Sequence, residues 1–159
     1  MFLVLEKFEK KVSEDFLAYL LKEYEISKEV PSITRVYSEE KLISEKRNEV
    51  ESKKSKLYHS EILAIEDAKN SLKTKLLTNS ILLTTLEPCI QCSGAIILSQ
   101  IPRVIYFAEQ TRFLGISSLS VEMIYRNNFF PKISFYEDEK ISNLIKEFFK
   151  NKRNIKETI

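Results

Sequence analysis

The chain of 159 residues contains one histidine and two cysteines, and all three lie in two short segments. His59 begins the segment His-Ser-Glu, and Cys89 and Cys92 belong to Pro-Cys-Ile-Gln-Cys at 88–92. An imidazole and two thiolates are typical ligands of a tetrahedral zinc ion, and three protein ligands leave the fourth position open for water or substrate. The three residues therefore predict one Zn²⁺ per chain, bound in a site of the catalytic kind.

Glu61 stands two residues after His59, where its carboxylate can reach a zinc-bound water instead of the metal. Zinc lowers the pKa of bound water to near neutrality, and an adjacent carboxylate can move protons to a ring nitrogen and a leaving amine. The combination of H-x-E with P-C-x-x-C is the sequence signature of zinc-dependent nucleobase deaminases, in which the glutamate does not bind the metal. It predicts hydrolytic deamination, with Glu61 as the catalytic acid and base.

Each part of this pattern has another reading. A C-x-x-C motif between a strand and a helix also occurs in thioredoxin-like redox sites, but the usual tryptophan is absent and His59 would have no role. A structural zinc site normally has four Cys or His ligands, and the chain offers three. Ser60 as a nucleophile would lack a general base once His59 binds the metal. A non-catalytic zinc-binding or RNA-binding module remains as a third function.

The size and composition of the chain indicate one domain. With 159 residues and 43% hydrophobic side chains, it can form one well-buried core but is short for two. We therefore expect a single zinc-dependent deaminase domain over residues 1–159. A net charge of +2, from 25 basic and 23 acidic residues, confines any affinity for nucleic acid to local patches. Two glycines are too few and too far apart for glycine-rich phosphate-binding motifs.

The sequence predicts neither a signal peptide nor a membrane span. The apolar residues 1–5 lack a basic leader, and the longest apolar stretch, around 95–98, is far shorter than a bilayer-spanning helix. Two cysteines three residues apart favour metal or redox chemistry in a reducing compartment over a structural disulfide. We therefore expect a soluble, cytoplasmic protein.

Hydrophobic periodicity divides the chain into helices and strands. In the first half it predicts a helix at about 5–24, a hairpin with strands 32–37 and 42–46, a solvated loop at 48–58 and a helix from about 60. In the second half it predicts a buried strand at 80–85, a helix at 88–99, a strand at 103–107, a short helix near 119–125, an edge strand at 132–136 and an amphipathic helix around 141–149. The order of strand, helix and strand at 80–107 predicts a crossover between parallel strands.

Both metal-binding segments are expected at helix N-termini. Pro88 favours the first turn of the helix that carries Cys89 and Cys92, where the helix dipole and free amides favour thiolate over thiol. His59 precedes the other helix, and two helix N-termini that face one ion would bring together ligands from distant parts of the sequence. The apolar residues expected on the inner face of that second helix are Ile62, Leu63, Ile65 and Ala68.

The stretch Thr-Leu-Glu-Pro-Cys-Ile-Gln-Cys-Ser-Gly-Ala-Ile-Ile at 85–97, followed by Ile-Pro-Arg-Val at 101–104, closely resembles the bacterial tRNA-specific adenosine deaminases of the cytidine/deoxycytidylate deaminase superfamily. Weaker matches are Glu-Val-Pro at 29–31, Asn48, and Phe148 and Phe149 followed by basic residues. The resemblance implies an α/β fold of the cytidine-deaminase type, with three α/β/α layers and a mixed five-stranded sheet. It also implies a homodimer and the conversion of adenosine to inosine at the wobble position of a tRNA anticodon.

The resemblance further implies substrate contacts outside the metal site. Asn48 would hydrogen-bond the flipped base, and Pro31 would form a wall of the pocket. The last helix would meet the anticodon loop through Phe149, Lys150, Lys152 and Arg153. The aromatic residues of this set also fit the apolar stripe of the helix, and its basic residues also suit a solvated helix end. Lysines at 53, 54 and 56 would rim the pocket or simply be solvated.

Three features depart from the family's pattern. Ser60 stands where alanine is usual, and Ser-Ile-Thr-Arg at 32–35 lacks the family's glycine in the first strand. Phe-Ala-Glu-Gln at 107–110 replaces a stretch that normally carries a glycine and an acidic residue. These positions affect the fit of the substrate and leave the metal chemistry unchanged. A deaminase of a free base or nucleotide, such as guanine, cytosine or deoxycytidylate, is therefore the second candidate function.

Overall fold

The computed structural model describes residues 2–22, 29–111 and 113–156, and its helices and strands follow the predicted order. The helices are α1 (Phe2–Lys22), α2 (Ser60–Leu72), α3 (Ile90–Leu98), α4 (Val121–Asn127) and α5 (Glu139–Lys156), with a 3₁₀ turn at Ile116–Ser118. The strands are β1 (Ile33–Ser38), β2 (Lys41–Arg47), β3 (Ser80–Leu86), β4 (Arg103–Ala108) and β5 (Lys132–Phe135). The predicted end of the first helix, at Tyr24, lies outside the described residues.

The strands form a mixed five-stranded sheet in the order β2, β1, β3, β4, β5. β1 is antiparallel to both of its neighbours, whereas β3 pairs in parallel with β4, and β4 with β5. β3 lies at the centre, as its short apolar and β-branched run predicts. The connection from β3 through α3 to β4 is the predicted crossover between parallel strands.

Side chains along the strands alternate between two apolar cores, one on each face of the sheet. On one face, Leu83 and Phe107 pack with residues of α1 and α5. On the other face, Leu82 and Val104 pack with residues of α2 and α3. Helices therefore cover both faces, and the predicted α/β/α layers are confirmed.

An apolar stripe and a buried ion pair hold α1 on the sheet. Val12, Phe16 and Leu20 recur at intervals of four residues, and each is at most 5% exposed. The guanidinium of Arg103 on β4 donates to both carboxylate oxygens of Glu9, at 2.7 and 2.6 Å. Because Arg103 is itself buried, loss of Glu9 would leave an uncompensated charge in the interior.

The hairpin of β1 and β2 closes through a turn of two glutamates. Ser38 pairs with Lys41, and the intervening Glu39 and Glu40 have φ angles of 48° and 64°. Two consecutive residues with positive φ are typical of a type I′ turn, which fits the twist of a hairpin but favours Asn-Gly. Since neither glutamate suits this conformation, the turn depends on the pairing of the strands.

One detail of α2 differs from the predicted pattern. Ile62 and Leu63 are only half-buried, so the prediction that they lie on the inner face is wrong. The buried residues of the helix are Ser60, Glu61, Ala64, Ile65 and Ala68. The first turn therefore directs polar residues toward the sheet, and the apolar face begins only after them.

Candidate active site

The three candidate metal ligands converge where α2 and α3 begin. His59 is the N-cap residue of α2 and Cys89 is the N-cap residue of α3, both with extended backbone, and Cys92 lies in the first turn of α3. The two sulfurs are 3.6 Å apart, and Nδ1 of His59 lies 3.5 Å from Cys89 Sγ and 3.4 Å from Cys92 Sγ. The fold thus brings together side chains that are thirty residues apart in the chain.

These separations suit a tetrahedral zinc ion. Zn–S bonds of about 2.3 Å and a Zn–N bond of about 2.0 Å place two sulfurs about 3.8 Å apart, and a sulfur and a nitrogen about 3.5 Å apart. The observed distances of 3.6, 3.5 and 3.4 Å agree with these values. Two thiolates and an imidazole also favour zinc over the oxygen-seeking Mg²⁺ and Ca²⁺. The donor set therefore fits Zn²⁺ and leaves a fourth position for another ligand.

The cluster already stabilises one thiolate. The hydrogen bond with the Cys92 thiol, together with His59, lowers the pKa of Cys89 to about 4, although burial opposes the shift. The pKa of Cys92 is raised, because its proton is shared with Cys89 and burial disfavours a second thiolate. The hydrogen bond with Cys89 also raises the pKa of His59. A bound divalent cation would replace these protons and favour both thiolates.

Glu61 lies beside the cluster in the interior. It is 5% exposed, and burial raises the pKa of its carboxyl group, although the charge of His59 and the hydroxyl of Ser60 oppose the shift. Its Oε2 accepts a hydrogen bond of 3.0 Å from Ser60 Oγ. A buried carboxyl group with a raised pKa is suited to take up and release a proton at neutral pH.

Ser60 connects Glu61 to a hydroxyl cluster between α2 and the sheet, which we define as Ser32, Thr34, Ser60 and Thr84. Ser60 Oγ lies 3.0 Å from Ser32 Oγ and 2.9 Å from Thr34 Oγ1. Thr34 Oγ1 lies 3.0 Å from Thr84 Oγ1 on β3. Ser60 donates to Glu61, and its oxygen also lies within hydrogen-bond distance of the hydroxyls of Ser32 and Thr34. The hydroxyl cluster thereby fixes the orientation of Ser60 and, through it, of the Glu61 carboxylate.

Glu87 holds the loop after β4 against the start of α3. Its buried carboxylate accepts hydrogen bonds from Gln110 N at 3.1 Å, Ser117 N at 3.0 Å and Ser117 Oγ at 2.6 Å. Gly115 forms an isolated β-bridge with Cys89, and a Cβ on this glycine would lie 2.1 Å from Glu87 Cδ. The loop therefore borders Cys89 because Glu87 binds both of its ends.

The helix that carries the cysteines begins later than its proline predicts. Pro88 lies before the N-cap, and α3 begins at Ile90, so the predicted start is wrong by two residues. The carbonyl of Pro88 accepts hydrogen bonds from Ile116 N at 2.9 Å and Ser93 Oγ at 3.2 Å. These contacts keep the segment extended, and the later start places Cys89 at the helix terminus.

Asn48 and Pro31 are joined to the site through Ser32. Asn48 follows β2, is 6% exposed, and donates its backbone N–H to Ser32 O at 3.0 Å. Pro31 directly precedes Ser32 and is half-buried. The side-chain amide of Asn48 donates to Glu29 Oε2 at 3.0 Å. Both residues therefore adjoin the hydroxyl cluster at Ser32.

The residues expected to contact RNA lie on α5, which packs on the face of the sheet opposite α2 and α3. Phe149 packs against the core on that face and also lines a cleft of about 570 Å³, together with Arg153. Lys150 and Arg153 are exposed. Lys152 forms an ion pair with Glu51, which ties the end of α5 to the loop after β2.

Known proteins similar to this chain are deaminases. The sequence model of the MafB19-like deaminase family matches residues 7–153. The tRNA-specific adenosine deaminase of Aquifex aeolicus (strain VF5) is 39% identical over 127 residues, which are 79% of this chain and 84% of that protein. The chain belongs to the tRNA-specific adenosine deaminase family.

Solved structures support the fold of this deaminase family member. A structure from a study of A-to-I editing by tRNA:A34 deaminases has a TM-score of 0.60 and 24% identity, and covers 75% of this chain and 85% of the other. A guanine deaminase from Bacillus subtilis has a TM-score of 0.50 and 33% identity over 51% of this chain and 52% of its own.

None of the described helices has the length and apolar content that a bilayer span requires.

Sequence reasoning missed the contributions of Glu87, Gly115 and Glu29. Glu87 immediately precedes Pro88 and Cys89, but its partners lie more than twenty residues later in the chain. Gly115 is one of only two glycines, and this scarcity was the signal that could have identified it as a position where a side chain does not fit.

Proposed function

We propose that this member of the deaminase family converts adenosine to inosine at the wobble position of a tRNA anticodon by zinc-dependent hydrolysis, as a single domain over residues 1–159. The observation that carries this proposal is the convergence of His59 Nδ1 with the sulfurs of Cys89 and Cys92 within 3.6 Å, beside the buried Glu61. The similarity to the Aquifex aeolicus tRNA-specific adenosine deaminase supports the choice of substrate.

The residues of the site suit each proton transfer of the reaction. Zinc held by His59, Cys89 and Cys92 would supply a Lewis acid that lowers the pKa of a water molecule at the open position. Glu61 takes a proton from the attacking water, and Ser60 keeps the carboxylate in one orientation. As the water oxygen bonds to the carbon that bears the amine, the Glu61 carboxyl group passes this proton to the adjacent ring nitrogen. It then carries the remaining hydroxyl proton to the amine, and the carbon–nitrogen bond breaks. Water and adenosine thereby become inosine and ammonia.

Asn48 and Pro31 form one side of the base pocket in this proposal. Both are connected to Ser60 through Ser32, so they lie close to the catalytic carboxyl group. Asn48 binds an edge of the flipped base with its side-chain amide. A deaminase must take its target base out of the stack, and a buried amide offers the hydrogen bonds that the base then lacks.

The end of α5 provides the contacts with RNA phosphates. Lys150 and Arg153 are exposed and free of the core, and cationic side chains bind the phosphate backbone. Lys152 joins them by exchanging its ion pair with Glu51 for a phosphate. Phe149 contributes a wall of the cleft on α5.

The proposal includes a homodimer in the cytoplasm, where tRNA is processed. Exposed apolar residues of the described chain occur next to the metal ligands: Leu57 precedes His59 by two residues, and Ile90 follows Cys89. Phe113 and Leu114 are also exposed and precede Gly115, which forms a β-bridge with Cys89. Clustered apolar side chains at a surface are typical of protein interfaces. A second chain on this surface would also narrow access to the zinc site.

A free guanine deaminase is the second candidate, because the Bacillus subtilis guanine deaminase shares 33% identity over half of the chain. The two functions are distinguished by a substrate panel. The panel contains an anticodon stem-loop with adenosine at the wobble position, the same stem-loop with that adenosine moved to a neighbouring loop position, and free adenine, guanine and cytidine. We expect inosine only in the first stem-loop. Release of ammonia from guanine without inosine in RNA would support the second function.

A further inference from the structure

Glu29 accepts hydrogen bonds from backbone and side-chain groups of the segment that follows β2. Its Oε2 accepts hydrogen bonds from Asn48 Nδ2 and Glu51 N, both at 3.0 Å, and its Oε1 accepts one from Ser52 N at 2.7 Å. Burial acts to raise the pKa of this carboxyl group, but the hydrogen bonds outweigh it, and the pKa lies below its ordinary value. Glu29 is therefore an ionised acceptor at neutral pH.

An ionised carboxylate determines how the side-chain amide of Asn48 is oriented. The amide has a donor nitrogen and an acceptor oxygen of nearly equal size, so packing alone does not distinguish its two orientations. A carboxylate only accepts hydrogen bonds, so it binds the nitrogen and repels the oxygen. Asn48 is 6% exposed, and within the described part of the chain no donor binds its Oδ1. That oxygen and the second N–H of the amide remain for a ligand.

We propose that Glu29 is a positioning residue that determines base selectivity by fixing the orientation of the Asn48 amide. This inference rests on the proposed function, in which Asn48 binds the flipped base. With its nitrogen held by Glu29, Asn48 presents a donor and an acceptor in fixed places. The rotated amide would exchange them and place donor against donor, or acceptor against acceptor, on the edge of the correct base. A site with such a mismatch loses both affinity in the transition state and discrimination between bases.

A loop-anchoring contribution of Glu29 must be separated from its effect on Asn48, because Glu51 N and Ser52 N share the same carboxylate. Glu29→Gln keeps the size of the side chain but adds a donor, which allows the Asn48 amide to rotate and accept from residue 29. Glu49→Gln is the matched control. It removes one negative charge from the same loop, where the carboxylate of Glu49 pairs with Lys53 at 3.8 Å.

The orientation itself is measured without substrate by NMR of the ¹⁵N-labelled, zinc-loaded protein. The side-chain amide resonances of Asn48 are identified by their loss in Asn48→Ala. We expect one of the two amide protons to be shifted downfield and to exchange slowly in the wild type and in Glu49→Gln, because a charge-assisted hydrogen bond holds it. In Glu29→Gln both effects should disappear. Identical Asn48 resonances in the wild type and Glu29→Gln would overturn the inference.

The consequence for selectivity is measured with the anticodon stem-loop carrying adenosine or cytidine at the wobble position, and the ratio of the two rates should fall in Glu29→Gln. We expect kcat to fall about tenfold in Glu29→Gln, as for one lost hydrogen bond, with zinc content and Kd for the stem-loop unchanged. Glu29→Asp, which keeps an acceptor, should recover part of the loss. In the Asn48→Ala background, Glu29→Gln should lower kcat by less than about twofold, because coupled residues are non-additive.

Two results distinguish a failure of this inference about Glu29 from a failure of the proposed function. If the losses from Glu29→Gln and Asn48→Ala add, Glu29 acts by anchoring the loop, and the inference is wrong. If the zinc-loaded wild type forms no inosine, the proposed function fails. The NMR measurement then decides alone whether Glu29 orients Asn48.

Discussion

Neighbouring ionisable groups of the site have pKa values shifted in opposite directions, and this is what fits them for different tasks. Cys89, with a pKa of about 4, is a thiolate at neutral pH and is ready to bind a cation. The pKa of Glu61 is raised by burial, so this carboxyl group can hold a proton during part of the reaction. One group can therefore serve as a ligand and the other as an acid and base.

The first prediction concerns the metal. Cys92→Ser should lose most of the bound zinc and lower the Tm, because serine is a poor zinc ligand and two remaining ligands bind weakly. Metal analysis of the purified protein gives the zinc content per chain, and the wild type should contain about one. Ser99→Ala, which removes a buried hydroxyl at the other end of α3, is the control and should keep its zinc. Full zinc retention in Cys92→Ser would exclude Cys92 as a ligand.

The second prediction concerns proton transfer. Glu61→Gln keeps the size of the side chain and its contact with Ser60, but it cannot take a proton from water. We expect kcat to fall by about two to four powers of ten, the usual contribution of a general acid and base, while zinc content and Tm stay near wild type. A zinc-loaded Glu61→Gln that retains the wild-type rate would show that another group moves the protons.

At the scale of elements, two helix N-termini and one loop form the site, and Glu87 joins the loop to the helix. Its carboxylate contacts Gln110 and Ser117, and Gly115 leaves room for it beside Cys89. The loop after β4 therefore supports the candidate metal site, although none of its described residues is a candidate ligand.

The two glycines of the chain give a matched pair of tests. Gly115→Ala should destabilise the protein by about 1–3 kcal/mol, because its Cβ would lie 2.1 Å from the Glu87 carboxylate carbon. Gly94→Ala should stabilise it by up to about 1 kcal/mol, because the position is helical and has no neighbour within 4 Å of a Cβ. Urea unfolding of the zinc-loaded variants measures both. Equal stability of the two variants would contradict the packing of Glu87 on Gly115.

The hairpin turn provides a prediction for the sheet. Replacing Glu39 by Asn and Glu40 by Gly should stabilise the protein by about 1–2 kcal/mol, since these residues adopt positive φ at lower cost. Thermal unfolding of the double variant should show a higher Tm. A lower Tm would indicate that the glutamate side chains contribute contacts beyond the turn.

The convergence of His59, Cys89 and Cys92 could be predicted from the sequence because their chemistry is local to two short motifs. The parallel pairing of β3 with β4 followed from the crossover rule, whereas the mixed sheet and its layers were implied by the resemblance to the deaminase family. The contacts of Glu87 with Ser117 and of Glu29 with Asn48 could not be predicted, since they join residues 30 and 19 positions apart without a periodic signal. Likewise, Ser60 stands where the family usually has alanine, and its contacts with Ser32 and Thr34 became evident only from the packing of α2 on β1.

At the scale of the whole molecule, the nearly balanced charge confines affinity for RNA to local patches, and the end of α5 is the patch that we propose. Lys152 is already paired with Glu51, so this surface also connects α5 with the loop that leads to His59. Binding of RNA there would compete with an internal ion pair.

The salt dependence of RNA affinity tests whether the end of α5 binds RNA phosphates. Replacing Lys150, Lys152 and Arg153 by alanine should reduce the slope of log affinity against log salt by about two, since each phosphate contact with single-stranded RNA contributes about 0.7. Affinity for the anticodon stem-loop is measured at several salt concentrations. The charge-matched control replaces the exposed lysines of α1 at positions 7, 10 and 11 and should leave the slope unchanged. Equal slopes in both triple variants would remove α5 from the RNA surface.

The central claim is that zinc and Glu61 direct the attack of water on a wobble adenosine. It is tested most directly by incubating the zinc-loaded protein with the anticodon stem-loop in ¹⁸O-labelled water and analysing the nucleosides by mass spectrometry. We predict inosine at the wobble position with one solvent-derived oxygen, formed by the wild type and nearly absent with Glu61→Gln. Wild-type protein with bound zinc that forms no inosine, or inosine without the label, would contradict the account.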